Sequence, residues 1–501
     1  MKLLITTFLL FILVNSFVFA QSQEAKSWQV KISVAPELQK SFTKGGRLLL
    51  HFSNQNQKEP RQSSDFTVGF TPQSWVGKST FTLESSEKGI LSSRAMPSLN
   101  KVFCQVVYKH NIDDAQENAP GNWYSNIDSL SQPLAGSFDL TLSKVIAPGV
   151  VKEHKFVKTI EIQSKFLSDF SGHPRFLKAS ILLPATFFDK PGKSFPICYR
   201  APGLNGRLTA INNKLDDKEF TDWWFSGKAP QVIYVFLDSH GPYGDTYQVD
   251  SENNGPCGKA LTEELIPAIE KMVQYNPVSK KRYLTGMSTG GWVAMGLQVF
   301  YPDFFDGTWS YSPDPLEFEH YGLINIYQDE NLFYNRFGYL QPGKRTIYGE
   351  PTFSMKDWIH GENVVSRTGN YLVSGGQFGA YNAVFGPKGK DGLPTLMFDP
   401  FTGKIDHEVA KQWEKYDLKK VLEKNWATLG PKLQGKIWIW TGDMDGLYSN
   451  VATRFLKMFI DKTENPKSDA IINFTPMAGH CQEWSDEEVI KMAGKKADSS
   501  R

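Results

Sequence analysis

The sequence predicts two folded parts in tandem. The first is an all-β, sandwich-like domain over residues 21–155. The second is an α/β domain with a mostly parallel sheet over residues 156–501, interrupted by a cap-like insertion at about 315–429. Three observations carry this reading. Up to about Lys152 the chain is a series of short alternating apolar stretches broken by turn residues, with little helical periodicity. After Val157, apolar strand-like runs alternate with helical patterns, the signature of an α/β layer structure. From Asp314 to about Leu429 that alternation lapses into an irregular, aromatic-rich and glycine-rich stretch, and it then resumes.

Residues 1–20, "MKLLITTFLLFILVNSFVFA", read as a leader. Lys2 forms a charged n-region, Leu3 to Val14 an apolar h-region, and Val18 and Ala20 fit a cleavage site. The run is short for a spanning helix and is interrupted by Asn15 and Ser16. No cysteine stands near the cleavage position to suggest lipid attachment. The expectation is export, periplasmic or extracellular, with no membrane span after cleavage.

In the β part, "WQVKISV" places Val30, Ile32 and Val34 on one parity. "GRLLLHFS", "STFTLE", "KVFCQVVYKH" and "GSFDLTLSKV" follow, separated by Pro, Gly, Asn and Asp clusters. "HNIDDAQENAPGNW", His110 to Trp123, reads as a polar exposed loop. In the α/β part, "VKTIEIQSKFL" and "RFLKASILLP" open as strands. "SFPICYRAPG" and "PQVIYVFLDS" are apolar runs of the kind buried on both sheet faces. "GKALTEELIPAIEKMVQY" is amphipathic, with Leu261, Leu265, Ile269 and Met272 at helical spacing. The strand "RYLTG", the helix "WVAMGLQVFYPDFF" and the strand "GTWSYS" come next. The insertion holds one clear helix, near "HEVAKQWEKYDLKKVLEKNW". "GKIWIWTGD" and "DAIINFTPMAGH" restore the strand pattern.

The 501 residues are 40% hydrophobic and 22% charged, an ordinary globular composition. A net charge of +2 with no long basic run argues against nucleic acid as a partner. The oligomeric state leaves no mark in the sequence. The four cysteines, Cys104, Cys198, Cys257 and Cys481, match no zinc spacing and are too few for a disulfide framework. A bridge between Cys257 and Cys481 and free buried thiols are both compatible with them.

Gly286-Met287-Ser288-Thr289-Gly290 is a G-x-S-x-G pattern between a β-prone stretch and an apolar helical run. A serine exposed at such a turn needs strained backbone, and small residues two positions away on either side avoid clashes across it. A nucleophilic serine also needs a base and an orienting acid, in the chain order Ser, acid, His. His480, in the loop after the strand Ala470 to Phe474, sits where that base belongs. The helix after it is announced by the capping box Ser485 to Glu488. "TGDMDG" offers two acids. The G-x-x-D spacing selects Asp445. Asp443 is the alternative acid, read otherwise as an Asx-turn residue or a partner of a nearby N–H. D-x-D-G also suggests a calcium loop, but the remaining ligands are missing, so no metal and no cofactor are expected. The backbone N–H groups of Thr289 and, from the loop "APGLNG", Leu204 are the expected oxyanion donors.

Together these segments resemble the putative-esterase family of α/β-hydrolases, which includes esterase D-like, feruloyl and enterochelin esterases. The resemblance runs from about Val157 to Lys495 and is carried by "SFPICYRAPGLNG", "VIYVFLDS", "GPCGKALTEELIPAIEKMVQYNP", "RYLTGMSTGGWVAMGLQVFYPDFFDG", "TGDMDGLYSNVA" and "AGH". It implies an α/β-hydrolase fold and a carboxylic-ester hydrolase with Ser288 as nucleophile, Asp445 as acid and His480 as base. "GLNG" departs from the family's common G-x-G-G form at Asn205. The expected substrate is a small-molecule or carbohydrate ester, with acyl and feruloyl esters of sugars as examples. Tyr321, Phe333 and Trp358 are candidates to line its pocket. Two other classes remain open: a peptidase on the same fold, and a non-catalytic binding or scaffold protein with a degenerate hydrolase domain.

Overall fold

The computed structural model describes residues 28–54, 58–72, 75, 79–93, 102–130, 136–189, 194–274 and 281–499. The expected leader at 1–20 lies outside the described residues.

The alternating apolar stretches of the first part pair into one hydrogen-bonded sheet of nine strands. Its order is Thr80–Glu84, Trp28–Val34, Gly136–Val145, Trp123–Ser125, Val102–Lys109, Arg47–Ser53, Phe66–Phe70 and Leu91–Ser92, with Asp128–Leu130 added beside Val102–Lys109. The sheet curls over its own core. Phe70 and Phe81, from strands near opposite edges, stack with ring centroids 5.4 Å apart. The sandwich-like reading therefore holds as one folded-over sheet instead of two separate ones.

Trp28, Val30, Ile32 and Val34 point into that core, as their parity requires. Arg47–Ser53 is instead buried at every position, because its second face packs on the α/β domain. Arg47 Nε donates to Val364 O (2.8 Å), and Lys109 Nζ donates to Val365 O (3.1 Å) and Ser374 O (2.6 Å). The stretch from His110 to Trp123 is corrected here. It is polar but lies in the domain junction, with Ala115, Ala119 and Asn122 fully buried and Ala115 N bonded to Gly241 O (3.0 Å). Its polar side chains serve tertiary contacts.

The α/β domain is built on eight strands: β1 (Val157–Ser164), β2 (Arg175–Leu182), β3 (Ile197–Arg200), β4 (Ile233–Leu237), β5 (Arg282–Met287), β6 (Gly307–Tyr311), β7 (Ile437–Gly442) and β8 (Ile471–Thr475). Their order in the sheet is β1-β2-β4-β3-β5-β6-β7-β8. β2 pairs antiparallel with β1 and β4, and all pairs from β4–β3 to β7–β8 are parallel. Because β3 sits between β4 and β5, the loops leaving β3 and β5 are neighbours at the carboxyl edge, where open α/β sheets bind ligands.

Helix α1 (Thr289–Phe300) follows β5 directly and is buried along nearly its whole length. The run containing Pro267 is helical. A π-type segment at Leu261–Leu265 precedes Ile266–Met272 and accommodates the missing proline N–H. Within the insertion, helices α2 (Met355–Val365) and α3 (Gln377–Phe385) stand where the sequence shows no helical periodicity, and α4 (Leu418–Leu433) where it does. Helices α5 (Ser449–Ile460) and α6 (Asp486–Ser499) cover the end of the sheet, and Ser485 Oγ accepts from Glu488 N (3.3 Å), as the capping box predicts. Residues 165–167, read as the end of a strand, instead open a helix, Lys165–Ser171, capped by Ser164. All four cysteines are free thiols, so no bridge joins Cys257 and Cys481.

Candidate active site

β5 ends at Met287, and the chain turns into α1 through Ser288 at φ 57°, ψ −126°. A non-glycine residue held there carries backbone strain, which persists only where the surroundings enforce it. Here they do. Ser288 N donates to Tyr311 O (2.9 Å), and Ser288 O accepts from Gly291 N (2.8 Å) and Trp292 N (3.1 Å). A Cβ on Gly286 would fall well inside contact distance of Gly290 O, and one on Gly290 would collide with Ala201 O and Pro202 O. The glycines of the pattern are thus required by close backbone approach. Ser288 occupies the N-cap of α1, yet its side chain caps no helix N–H. Its Oγ is not committed to holding the helix.

Asp445 follows β7 and is fully buried. Its Oδ1 accepts from Leu447 N (2.8 Å), and its Oδ2 accepts from His480 Nδ1 (2.7 Å). The carboxylate acceptor fixes the proton on Nδ1 and leaves Nε2 as the basic nitrogen. Nε2 is buried and has no hydrogen-bond partner among the described residues. Asp443 faces elsewhere. Its half-exposed carboxylate is paired with Arg454 on α5, which leaves Asp445 as the acid on His480. Arg345, from the insertion, donates from Nε to Asp445 O (3.0 Å) and lies over the Tyr448 ring at 4.6 Å. It clamps the acid-bearing loop. Ser312 joins the base loop to the sheet, its Oγ accepting from Cys481 N (3.0 Å) and its own N donating to Trp440 O (2.7 Å).

Burial disfavours the charged form of His480, but its hydrogen bonds to the Asp445 carboxylate and the Cys481 side chain outweigh that and raise its pKa well above the ordinary imidazole range.

Thr289 opens α1, so its N–H has no acceptor within the helix. The contact of Gly290 with Ala201 and Pro202 brings the Ala201–Gly206 loop against the elbow. Within that loop Gly206 N donates to Gly203 O (2.8 Å), closing a turn over Leu204 and Asn205. Asn205 has φ 62°, a left-handed conformation that asparagine tolerates better than most residues. The departure from the all-glycine form is therefore conformationally matched.

Sequence reasoning missed a buried polar cluster behind the elbow. Asp314, three residues past β6, accepts on Oδ2 from Tyr247 OH (2.6 Å), Thr289 Oγ1 (2.9 Å) and Gln377 Nε2 (3.1 Å). Its N donates to Ser288 O (3.3 Å). Burial raises the pKa of its carboxyl, with the Tyr247 and Thr289 bonds and the charge of His480 opposing. The one signal in the sequence was an acid between two prolines, Pro313 and Pro315, just past a buried strand. Gln377 and Tyr247 carried none.

A small pocket of about 50 Å³ adjoins this cluster, lined by Asp314, Gln377, Tyr321, Trp358, Tyr381 and Tyr448 among others. Tyr321 and Trp358, candidates to line a substrate pocket, line this one, whose lining includes neither Ser288 nor His480. Phe333 does not; it is buried within the insertion against Phe398, with ring centroids 6.5 Å apart.

The family model described as "Putative esterase" matches residues 173–478, and so stops just short of His480. No curated protein matches the chain. Among solved structures, a ferulic acid esterase is 13% identical, with 68% of this chain and 97% of that one covered at a TM-score of 0.42. An S-formylglutathione hydrolase from Agrobacterium tumefaciens is 12% identical, covering 70% and 96% at a TM-score of 0.36. A ferulic acid esterase from Anaeromyces mucronatus is 14% identical, covering 68% and 87% at a TM-score of 0.34. The fold is that of the α/β-hydrolases, preceded by a β-rich region.

Proposed function

This chain belongs to the putative esterase family, and from that premise we propose that it is a serine carboxylic-ester hydrolase acting through Ser288, His480 and Asp445. The observation that carries the proposal is the 2.7 Å bond from His480 Nδ1 to buried Asp445, on loops beside a strained Ser288 elbow. The family membership supports esterase activity; the roles of the individual residues are our reading of the geometry.

In the proposed reaction, His480 Nε2 takes the proton of Ser288 Oγ as that oxygen attacks the ester carbonyl carbon. The carbonyl oxygen becomes an oxyanion that accepts hydrogen bonds from the Thr289 and Leu204 N–H groups. Imidazolium His480, steadied by Asp445, returns the proton to the departing alkoxide, which leaves as the alcohol. Water then attacks the acyl-serine, giving its proton to Nε2. Collapse of the second tetrahedral species releases the acid and restores the serine. The proposed substrate is a small-molecule or carbohydrate ester met outside the cytoplasm; the sequence of residues 1–20 supports export.

The test is hydrolysis of p-nitrophenyl acetate by the wild type and by Ser288→Ala. The proposal expects saturable turnover that the substitution removes. Full activity in Ser288→Ala would sink it.

A further inference from the structure

The β domain grips the segment that leads into α3. Lys109, fully buried at the end of its strand, donates from Nζ to Val373 O (3.4 Å) and Ser374 O (2.6 Å) as well as to Val365 O. Gln116 donates from Nε2 to Gly375 O (2.6 Å). Three consecutive carbonyls of the insertion are thus bound by two side chains of the β domain. Gly375 has φ 80°, and a Cβ there would fall well inside contact distance of Ala115 O, so the two backbones meet directly.

Gly376 is the N-cap of α3 and Gln377 its first residue. The first turn of that helix is held from the other side by Glu362 of α2, whose carboxylate accepts from Ser374 Oγ (2.7 Å), Phe378 N (3.0 Å) and Gly379 N (3.0 Å). These N–H groups have no acceptor within the helix, so the carboxylate supplies one. With the carbonyls before the helix and the N–H groups at its start both fixed, the place of Gln377 is set by its surroundings. Its Nε2 donates to Tyr247 OH (2.5 Å) and Asp314 Oδ2 (3.1 Å).

Asp314 passes that constraint to the elbow. Its carboxylate accepts from Thr289 Oγ1 (2.9 Å), and its N donates to Ser288 O (3.3 Å). Ser288 O and the Thr289 N–H belong to one planar peptide unit, so holding the carbonyl aims the N–H. A donor to an oxyanion is effective only when it is aimed in advance at the place where charge develops.

We propose that the β domain belongs to the catalytic framework: Lys109 and Gln116 position Gln377, which through Asp314 aims the Thr289 N–H. All three are positioning residues and touch no reacting atom. The catalytic consequence rests on the esterase reading, whereas the mechanical link from the β domain to the elbow does not. Contacts that merely joined two domains would lower stability in the variants and leave the kcat of folded protein unchanged.

The experiment is steady-state hydrolysis of p-nitrophenyl acetate by the full chain as wild type, Lys109→Met, Gln116→Leu and Gln377→Leu, and by each of the first two combined with Gln377→Leu. Near-UV circular dichroism reports whether each variant remains folded, and two β-domain variants guard against the loss of one. A misplacement of the donor in the single variants should lower kcat about tenfold with KM little changed. In the Gln377→Leu background the β-domain substitutions should cost less than about threefold more, because they act through the residue already removed. A kcat within about twofold of wild type in both folded β-domain variants overturns the proposal. So does an equal fall in the two backgrounds, or a rise in KM in place of the fall in kcat. Wild-type turnover that is absent, or that survives Ser288→Ala, removes the esterase reading, and amide hydrogen exchange then decides the link. Faster exchange over residues 286–292 in both β-domain variants, with α5 unchanged, supports it. Exchange that is unchanged at the elbow, or raised alike throughout the chain, overturns it.

Discussion

Asp445→Asn and Asp443→Asn remove one carboxylate each from positions two apart in the same loop, and the structure predicts opposite outcomes. Asp445 is fully buried and spends one oxygen on Leu447 N and the other on His480 Nδ1. An asparagine there can present its NH2 group to Nδ1, which favours the wrong imidazole tautomer and leaves a developing imidazolium without its counter-charge. Loss of that role costs about 10⁴ in kcat, or about 5 kcal/mol of transition-state stabilisation at 1.36 kcal/mol per tenfold. Asp443 is half-exposed and paired with an equally exposed Arg454. Such a pair is worth about 0–1 kcal/mol and touches no reacting atom, so Asp443→Asn should keep kcat within about threefold. Steady-state hydrolysis of p-nitrophenyl acetate by the three proteins reads both numbers. Comparable losses in the two variants, or more than a tenth of wild-type kcat in Asp445→Asn, would refute the assignment.

The pH profile adds an independent readout. The folded-state pKa of His480 is raised, and a base must be neutral. The acid limb of kcat/KM should therefore lie above pH 6.5, the usual imidazole value, and should move down in Asp445→Asn. The same shift contributes stability that is complete below the unfolded pKa and is lost as pH rises through the folded one.

Other outcomes follow from particular contacts. Asp314→Asn weakens the charged anchor of Thr289 and Tyr247. A hydrogen bond to a charged group is worth about 1.5–3 kcal/mol, so kcat should fall about 10- to 100-fold with KM little changed; an equal rise in KM would point to a binding role instead. Gly290→Ala drives a methyl group into Ala201 O and Pro202 O, and should cost about 1–3 kcal/mol of stability by chemical denaturation together with most of the activity. Lys109 is buried, and desolvation lowers its pKa to about 7. Between that value and the unfolded one near 10.4 only the unfolded chain binds the proton, so this residue makes stability rise with pH. Lys109→Met should therefore compare best with wild type below pH 7 and lose ground toward pH 10 in thermal melts. A difference that does not vary with pH would contradict the buried-amine reading.

Local chemistry made much of this fold legible in the sequence. Trp28–Val34 and Gly136–Val145 coincide with alternating stretches, and the strand-elbow-helix around Ser288 follows from glycines that only close backbone approach explains. What stayed hidden depends on distant partners. Helix α3 is buried at all nine positions, so no polar face marks its period. The G-x-x-D spacing favours Asp445, but the pairing that draws the alternative Asp443 away depends on Arg454, a full helix turn into α5. The stretch after His110 looked like solvated loop because buried polar junctions and exposed loops share a composition. Asp314 was missed for the same reason: its role exists only where β6, α1 and α3 meet.

The central claim is that Ser288 is an activated nucleophile, and covalent labelling tests it most directly. Incubation of the folded protein with a fluorophosphonate, followed by peptide mass spectrometry, should place one adduct on Ser288. Labelling should be lost in Ser288→Ala and slowed strongly in His480→Ala. An unlabelled Ser288 in folded wild-type protein, or an adduct elsewhere that survives Ser288→Ala, would contradict the account.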